Sequence, residues 1–164
     1  FVTDRDAIEH VTNYLTIQHM RFKNRFTYGI EADESVMDLA SVKLILQPLV
    51  ENAIYHGMEF MDGDGEIRIH VYRDDDDLYM KVSDNGLGMT KEQIENMFSA
   101  KKHVASKSGS GIGVRNVNER IRLYFGSDYG LSIESELDEG TTVTIHMKAI
   151  PYSETAEGEK INVK

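Results

Sequence analysis

Apolar side chains recur three and four residues apart through residues 4–22. Ile8, Val11, Leu15 and Phe22 share one helical face, with Gln18 in the same register and Tyr14 beside it. Thr3 followed by Asp6 resembles a capping box and marks the start. Tyr28 to Glu31 reads as a short strand. Residues 39–57 predict a second helix, closed by Gly57 as the residue after its end. Pro48 falls inside it, where proline removes a backbone hydrogen bond and favours a kink. Apolar residues continue on both sides, so the helix is kept.

The period then changes to two. Ile67, Ile69 and Val71 alternate with Glu66, Arg68, His70 and Tyr72, and Leu78, Met80 and Val82 alternate with Tyr79, Lys81 and Ser83. The four acids Asp74 to Asp77 read as a solvated hairpin connection in preference to a metal site. Thr90 with Gln93 predicts a capping box for a short helix with Ile94, Met97 and Phe98 on its apolar face. Residues 99–110 are small, polar and basic without periodicity, which predicts a mobile loop. Gly109, Gly111 and Gly113 stand directly before a helix whose buried face is Val114, Val117, Ile121 and Tyr124 with Phe125, ended by Gly126. Two strands close the pattern: Leu131, Ile133 and Ser135 on one face of the first, Thr141, Val143, Ile145 and Met147 on one face of the second. Residues 151–164 have no apolar face and are expected to be frayed or disordered.

With 164 residues, 40% of them hydrophobic, the chain supports one domain, assigned to residues 1–150. Residues 1–6 carry neither the basic nor the apolar stretch of a signal peptide, and the absent initiator Met suggests a piece of a longer protein. With no Cys, disulfide and thiolate-metal chemistry are excluded, which fits a cytoplasmic domain. A net charge of −10 argues against a nucleic-acid-binding surface, so a polyanionic ligand would need local devices such as a metal ion, helix N-termini or a few basic residues.

The candidate chemistry lies where polar residues break the apolar pattern. Asp84 continues the parity of Leu78, Met80 and Val82, which points its carboxylate to the core side, and Gly86 and Gly88 follow at once. That combination suits either an Asx-capped turn or a pocket floor for a planar ligand with an N–H donor. Thr141 shares the parity of Val143 and should also face inward. Asn52 and His56, four apart on the second helix, are either a satisfied core pair or a ligand site. The Gly109–Gly113 segment is a ready anion site at a helix N-terminus, although it matches neither the Walker nor the dinucleotide-binding fingerprint.

Four motifs stand in order: Glu51-Asn52-Ala53 on a helix, Asp84-x-Gly86-x-Gly88 after a strand, Gly109-x-Gly111-x-Gly113 before a helix, and Gly140-Thr141 at a turn. The set resembles the N, G1, G2 and G3 boxes of the ATP-binding catalytic domain of sensor histidine kinases, in the wider group shared with gyrase, Hsp90 and MutL. The run Leu46-Gln47-Pro48-Leu49-Val50-Glu51-Asn52-Ala53-Ile54-Tyr55-His56-Gly57, preceded by Asn13 to Gln18 and Arg21-Phe22, resembles the YesM and LytS type. The resemblance implies an α+β two-layer sandwich: a mixed sheet with about three helices on one face. It implies ATP and Mg²⁺ as ligands, with Asn52 holding the metal and Asp84 accepting from the adenine amino group, supported by Thr141. It implies that Gly86 and Gly88 let the base lie on backbone, with Met89 beside them. Gly109, Gly111, Ile112 and Gly113 would face the phosphates, and residues 99–110 would form a lid. Asn52, Glu51 and His56 are the candidate catalytic residues.

Two departures bear on mechanism. Tyr55 stands where the family commonly has Lys, so a lid lysine (Lys101, Lys102 or Lys107) is expected to take over that phosphate contact. Pro48 stands where the hydrolytic relatives carry a water-activating Glu, and Glu51, the neighbour of Asn52, lies about 100° round the helix from it and does not substitute directly. Phosphoryl transfer to a protein histidine is therefore expected. His10, His19, His56, His70, His103 and His146 lie outside acceptor-like motifs, which places the acceptor on an upstream dimerisation domain. A response regulator and a membrane-anchored parent are the further implied partners. A serine kinase of the anti-sigma type and a non-catalytic ATP sensor are the alternatives.

Overall fold

The period-two runs pair into one five-stranded sheet. In the computed structural model, which describes residues 1–22, 26–56, 58, 63–98 and 110–155 without the side chains of residues 56 and 110–112, the elements follow in this order. They are β1 (Val2–Thr3), α1 (Asp4–Arg21), β2 (Phe26–Ala32), β3 (Ala40–Ser41), α2 (Gln47–His56), β4 (Gly65–Asp74), β5 (Asp77–Asp84), α3 (Lys91–Phe98), α4 (Ser110–Phe125), β6 (Gly130–Glu136) and β7 (Gly140–Lys148). The sheet order is β2-β4-β5-β7-β6, parallel at β2–β4 and antiparallel elsewhere. This is the expected mixed sheet of an α+β sandwich, with four α-helices among the described residues.

One face of the sheet carries the core. Ile67, Ile69, Val71, Leu78, Met80, Val82, Val143, Ile145 and Met147 are buried against Val11 and Leu15 of α1, Leu49, Val50, Ala53 and Ile54 of α2, and Val117 and Ile121 of α4. α3 keeps both bonds of its predicted capping box, Thr90 N–H to Gln93 Oε1 at 2.8 Å and Gln93 N–H to Thr90 Oγ1 at 3.1 Å, but buries no residue fully. On the other sheet face the rings of His70, Tyr72, Tyr79 and His146 stack in sequence at centroid distances of 4.7, 5.3 and 4.8 Å. The acidic connection closes as a tight turn in which Asp75 takes φ +51°, and Asp74 pairs with Asp77.

Two expectations are corrected. The helix expected over 39–57 begins only at Gln47. Residues before it form β3, paired with β1 (Val2↔Ser41, Thr3↔Ala40), and a turn in which Leu44 has φ +61°. Leu39, Ala40, Val42, Ile45 and Leu46 are buried all the same, and a short apolar run does not distinguish helix from strand by periodicity. The shift also resolves Pro48: it is the second residue of α2, where an N–H would have no intrahelical partner. The second correction concerns the tail. Pro151 bridges to Leu39, Ala40 N–H donates to Ile150 O at 2.7 Å, Tyr152 N–H donates to Asp38 O at 2.9 Å, and residues 152–154 form a 3-10 turn. Backbone pairing holds these residues although they lack an apolar face. Gly57 and residues 156–164 lie outside the described residues.

Asp4, the first residue of α1, is fully buried, and neither carboxylate oxygen has a hydrogen-bond partner among the described residues. Burial pushes its carboxyl up to about 8, so the folded chain holds it neutral at pH 7.

Two glycines offer a test of backbone proximity. Gly140 has φ +126°, and a Cβ there would collide with the backbone carbonyl of Asp84; Gly126 has φ +104° with nothing within 4 Å. Gly126→Ala is expected to cost about 1 kcal/mol, from backbone strain alone. Gly140→Ala is expected to cost at least about 3 kcal/mol. Urea unfolding measures both, and equal losses would mean that the close approach to Asp84 contributes nothing.

Candidate functional site

β5 does run one residue past its apolar positions, so Asp84 sits on the core face at the end of the sheet. Its register partner on β7 is Thr141, and the partner of Thr141 on β6 is Ser135. Three polar side chains thus form one row across three strands, on a face otherwise lined mainly by apolar side chains. Thr141 is 6% exposed.

The turn after β5 is built on this row. Asp84 Oδ1 accepts from Gly86 N–H at 2.9 Å, so the Asx turn is present together with the inward carboxylate. Asn85 ties the turn to the start of β4: its Oδ1 accepts from Glu66 N–H at 2.7 Å, and its Nδ2 donates to Asp64 O at 3.0 Å. Gly88 has φ +73°, and a Cβ there would strike the backbone of Glu136, so this glycine is required by the β6–β7 hairpin regardless of any ligand. Asp138 N–H donates to Leu87 O at 2.7 Å. Met89 is buried, and its N–H donates to Ser135 Oγ at 2.7 Å.

Electrostatically, Asp84 is a compromise. Burial pushes its carboxyl up to about 6, against the opposing pull of backbone N–H bonds from Gly86 and Thr141. It is ionised at neutral pH but easily protonated.

The second half of the site lies between α2 and α4. α2 packs on β5, the strand that ends in Asp84. Asn52 is 1% exposed, and its Oδ1 has no hydrogen-bond partner among the described residues. A buried amide oxygen without a donor is costly, which makes it a candidate for a ligand in place of a satisfied core group. Glu51 points elsewhere: its Oε1 accepts from Gln47 Nε2 at 2.8 Å. Tyr55 packs its ring on Phe22 at 6.2 Å. The Tyr14 hydroxyl is pushed up to about 12, first by burial and then by the nearby Glu51 and Tyr55. Glu51 and Tyr55 therefore belong to the α1–α2 contact.

α4 begins at Ser110, so Gly111, Ile112 and Gly113 occupy its first turn and not a loop before it. Their N–H groups are among the four that a helix start leaves without intrahelical acceptors, which keeps the anion-binding potential. A Cβ on Gly113 would stand 3.2 Å from Pro48 Cβ, so its absence lets α4 lie against α2. Gly109 and the lid lysines Lys101, Lys102 and Lys107 lie outside the described residues, as does the His56 side chain. A cavity of about 570 Å³ at the far end of β6, bordered by Asn118, Arg122, Tyr129 and His146, includes none of the candidate residues.

The row thus gathers Asp84, Gly86, Gly88, Met89 and Thr141, and adds Ser135, which the residue pattern did not single out. The signal was available: Ser135 shares the inward parity of Leu131 and Ile133, as Thr141 does that of Val143.

Comparison with known proteins fits this layout. The family model described as "Histidine kinase-, DNA gyrase B-, and HSP90-like ATPase" matches residues 37–151. Among curated relatives, the sensor histidine kinase YesM of Bacillus subtilis is 38% identical over 144 residues, covering 88% of this chain and 23% of the relative. The sensor protein LytS of Bacillus cereus is 34% identical over 137 residues, covering 84% and 23%. The sensor histidine kinase BtsS of Escherichia coli is 33% identical over 147 residues, covering 90% and 24%. The chain therefore spans about a quarter of the length of these relatives. Among solved structures, the catalytic domain of the histidine kinase ThkA superposes with a TM-score of 0.70 at 18% identity, covering 89% of this chain and 92% of that one. The mycobacterial sensor histidine kinase MprB gives 0.60 at 16%, covering 88% and 95%. These structural likenesses concern the fold.

The Asp84 carboxyl is expected to titrate near pH 6 in the free protein, well above the ordinary aspartate value of 3.8. Carbon-detected NMR of the side-chain carboxyl follows the midpoint, and a value near 4 would mean that the carboxylate is solvated and the row is open to water.

Proposed function

Because the chain belongs to the histidine kinase-, DNA gyrase B- and HSP90-like ATPase family, we propose that it is the ATP-binding catalytic domain of a sensor histidine kinase. In this reading it transfers the γ-phosphoryl group of ATP to a histidine on an upstream dimerisation domain. The observation that carries the reading is a half-buried, inward-facing carboxylate and a buried carboxamide whose oxygen has no partner among the described residues, on packed elements: Asp84 ending β5, and Asn52 on the helix above that strand. One suits the exocyclic amine of a base, the other a hard cation at the phosphates.

The residues divide the work. Asp84 accepts from the adenine amino group, with Thr141 beside it. The turn through Gly86 and Gly88 presents backbone to the ring. The first-turn N–H groups of α4 face the phosphates, where the helix dipole favours negative charge. Asn52 Oδ1 would hold Mg²⁺, which would neutralise charge on the phosphates. Among the described residues no three His, Asp or Glu side chains are grouped to hold a metal. Lys102 or a neighbouring lid lysine supplies the charge that Tyr55, packed on Phe22, does not.

Among the described residues hydrolysis has no evident base. Pro48 occupies the position one turn before Asn52 and packs against Gly113. Transfer then requires a nucleophile delivered in line with the γ-phosphate. As the P–O bond to ADP breaks, a P–N bond to an imidazole forms. That imidazole, the response regulator and a membrane anchor belong to the longer parent protein, with this domain on the cytoplasmic side. No helix among the described residues is long and apolar enough to cross a membrane.

Two binding variants separate the roles. Asp84→Asn is expected to weaken both adenosine and Mg-ATP by about tenfold to a hundredfold, since a bond to a charged group is worth about 1.5–3 kcal/mol. Asn52→Ala is expected to lose the Mg²⁺-dependent gain while adenosine binding persists. Calorimetry decides, and an equal loss of both ligands in Asn52→Ala would make Asn52 structural.

The chain alone is expected to bind ATP, release phosphate negligibly and remain unlabelled by γ-³²P-ATP, whereas adding the upstream helical domain in trans should put acid-labile label on that domain. Label on a histidine of this chain, or rapid phosphate release without the partner, would overturn the transfer reading.

A further inference from the structure

The hydroxyl network behind Thr141 has only one consistent proton assignment. Ser135 Oγ has three partners: Met89 N–H at 2.7 Å, Gly140 O at 2.8 Å and Thr141 Oγ1 at 2.8 Å. The Met89 amide can only donate, so it occupies one serine lone pair. The Gly140 carbonyl can only accept, so the single serine proton lies on it. A hydroxyl has one proton and two lone pairs. The contact to Thr141 is therefore a hydrogen bond only if Thr141 is the donor. The register agrees, because Ser135 and Thr141 are directly opposite on the same inward face.

With its proton turned to Ser135, Thr141 offers only lone pairs on its Asp84 side. Asp84, ionised, is likewise only an acceptor, and its Oδ1 already takes the Gly86 N–H. From this we infer that Ser135 is a specificity-determining positioning residue: by taking the Thr141 proton it leaves no hydroxyl donor where the 6-substituent of a purine would sit, so at that position the floor accepts an amino group and rejects an oxo group. The polarity survives an intervening water. A water that donates to both Asp84 and Thr141 has only lone pairs left for the ligand, so it too asks for an amine. Were Thr141 a donor, the same water would keep a proton for a carbonyl.

The inference rests on the nucleotide-binding reading above and adds to it a residue outside the four motifs. Rejecting the oxo base leaves buried acceptors facing an acceptor, and such unpaired polar contacts discriminate strongly.

The test compares Mg-ATP and Mg-ITP, which differ at the 6-position and at N1, by calorimetry on this chain. The wild type is expected to prefer ATP by at least about a hundredfold. Ser135→Ala frees the Thr141 proton to turn toward the floor and should narrow that ratio about tenfold, chiefly by improving ITP relative to ATP. Ser135→Thr, which keeps the hydroxyl, should restore it. In a Thr141→Val background, Ser135→Ala should leave the ratio unchanged. Should Ser135→Ala lose both nucleotides, Thr141→Val alone reads the same point: removing an acceptor weakens ATP and spares ITP, whereas removing a donor weakens ITP more. A wild type that binds ATP, with a Ser135→Ala ratio equal to its own or a Thr141→Val loss greater for ITP, overturns the inference and leaves the nucleotide reading intact. A wild type that binds neither nucleotide overturns the nucleotide reading itself.

Discussion

Two backbone segments touch where side chains are missing, and the site is built on that contact. The turn after β5 lies against the β6–β7 hairpin so closely that a Cβ at Gly88 would strike Glu136, and one at Gly140 would strike Asp84 and Asn85. Both glycines hold positive φ, where L side chains are strained. This approach brings Met89 N–H within reach of Ser135 and lets Asp138 N–H close on Leu87 O. A wider separation would let water between the segments, and the row Asp84–Thr141–Ser135 would lose its shared hydrogen bonds.

Polar groups on a core face need compensation, and the fold supplies it unequally. Asp84 is held by two backbone N–H groups, and its carboxyl rises only to about 6. Asp4 has no hydrogen-bond partner for its carboxylate among the described residues, and its carboxyl rises to about 8. The two differ as a site group and a neutral core group differ: one stays charged near pH 7, the other does not. Asn52 is a third case, a buried neutral amide whose oxygen has no partner among the described residues. Such under-satisfaction is rare in folded chains.

Pro48 ties local helix chemistry to reaction chemistry. At the second position of α2 it sacrifices no hydrogen bond, and it offers a flat surface on which Gly113 brings α4 close. The same residue leaves the turn before Asn52 without a carboxylate. Close helix packing and the absence of a carboxylate one turn before Asn52 thus share one side chain.

The strands were legible in the sequence because their alternation is strict and a period of two leaves one register to the core; the inward turn of Asp84 and Thr141 follows from parity alone. The caps at Thr3 and Thr90 and the end of α4 at Gly126 were legible for the same local reason. The start of α2 was not, because residues 39–46 are apolar on every side, and only pairing of β3 with β1 and of Leu39 with Pro151 assigns them. The ordering of residues 151–155 likewise comes from partners more than a hundred positions away. Tertiary structure alone decided that Gly88 and Gly113 answer to neighbouring backbone and Pro48, that Glu51 and Tyr55 face α1, and that Ser135 Oγ meets Met89, Gly140 and Thr141. Each of these depends on which atoms of distant segments meet, and residue spacing along a chain carries no information about that distance.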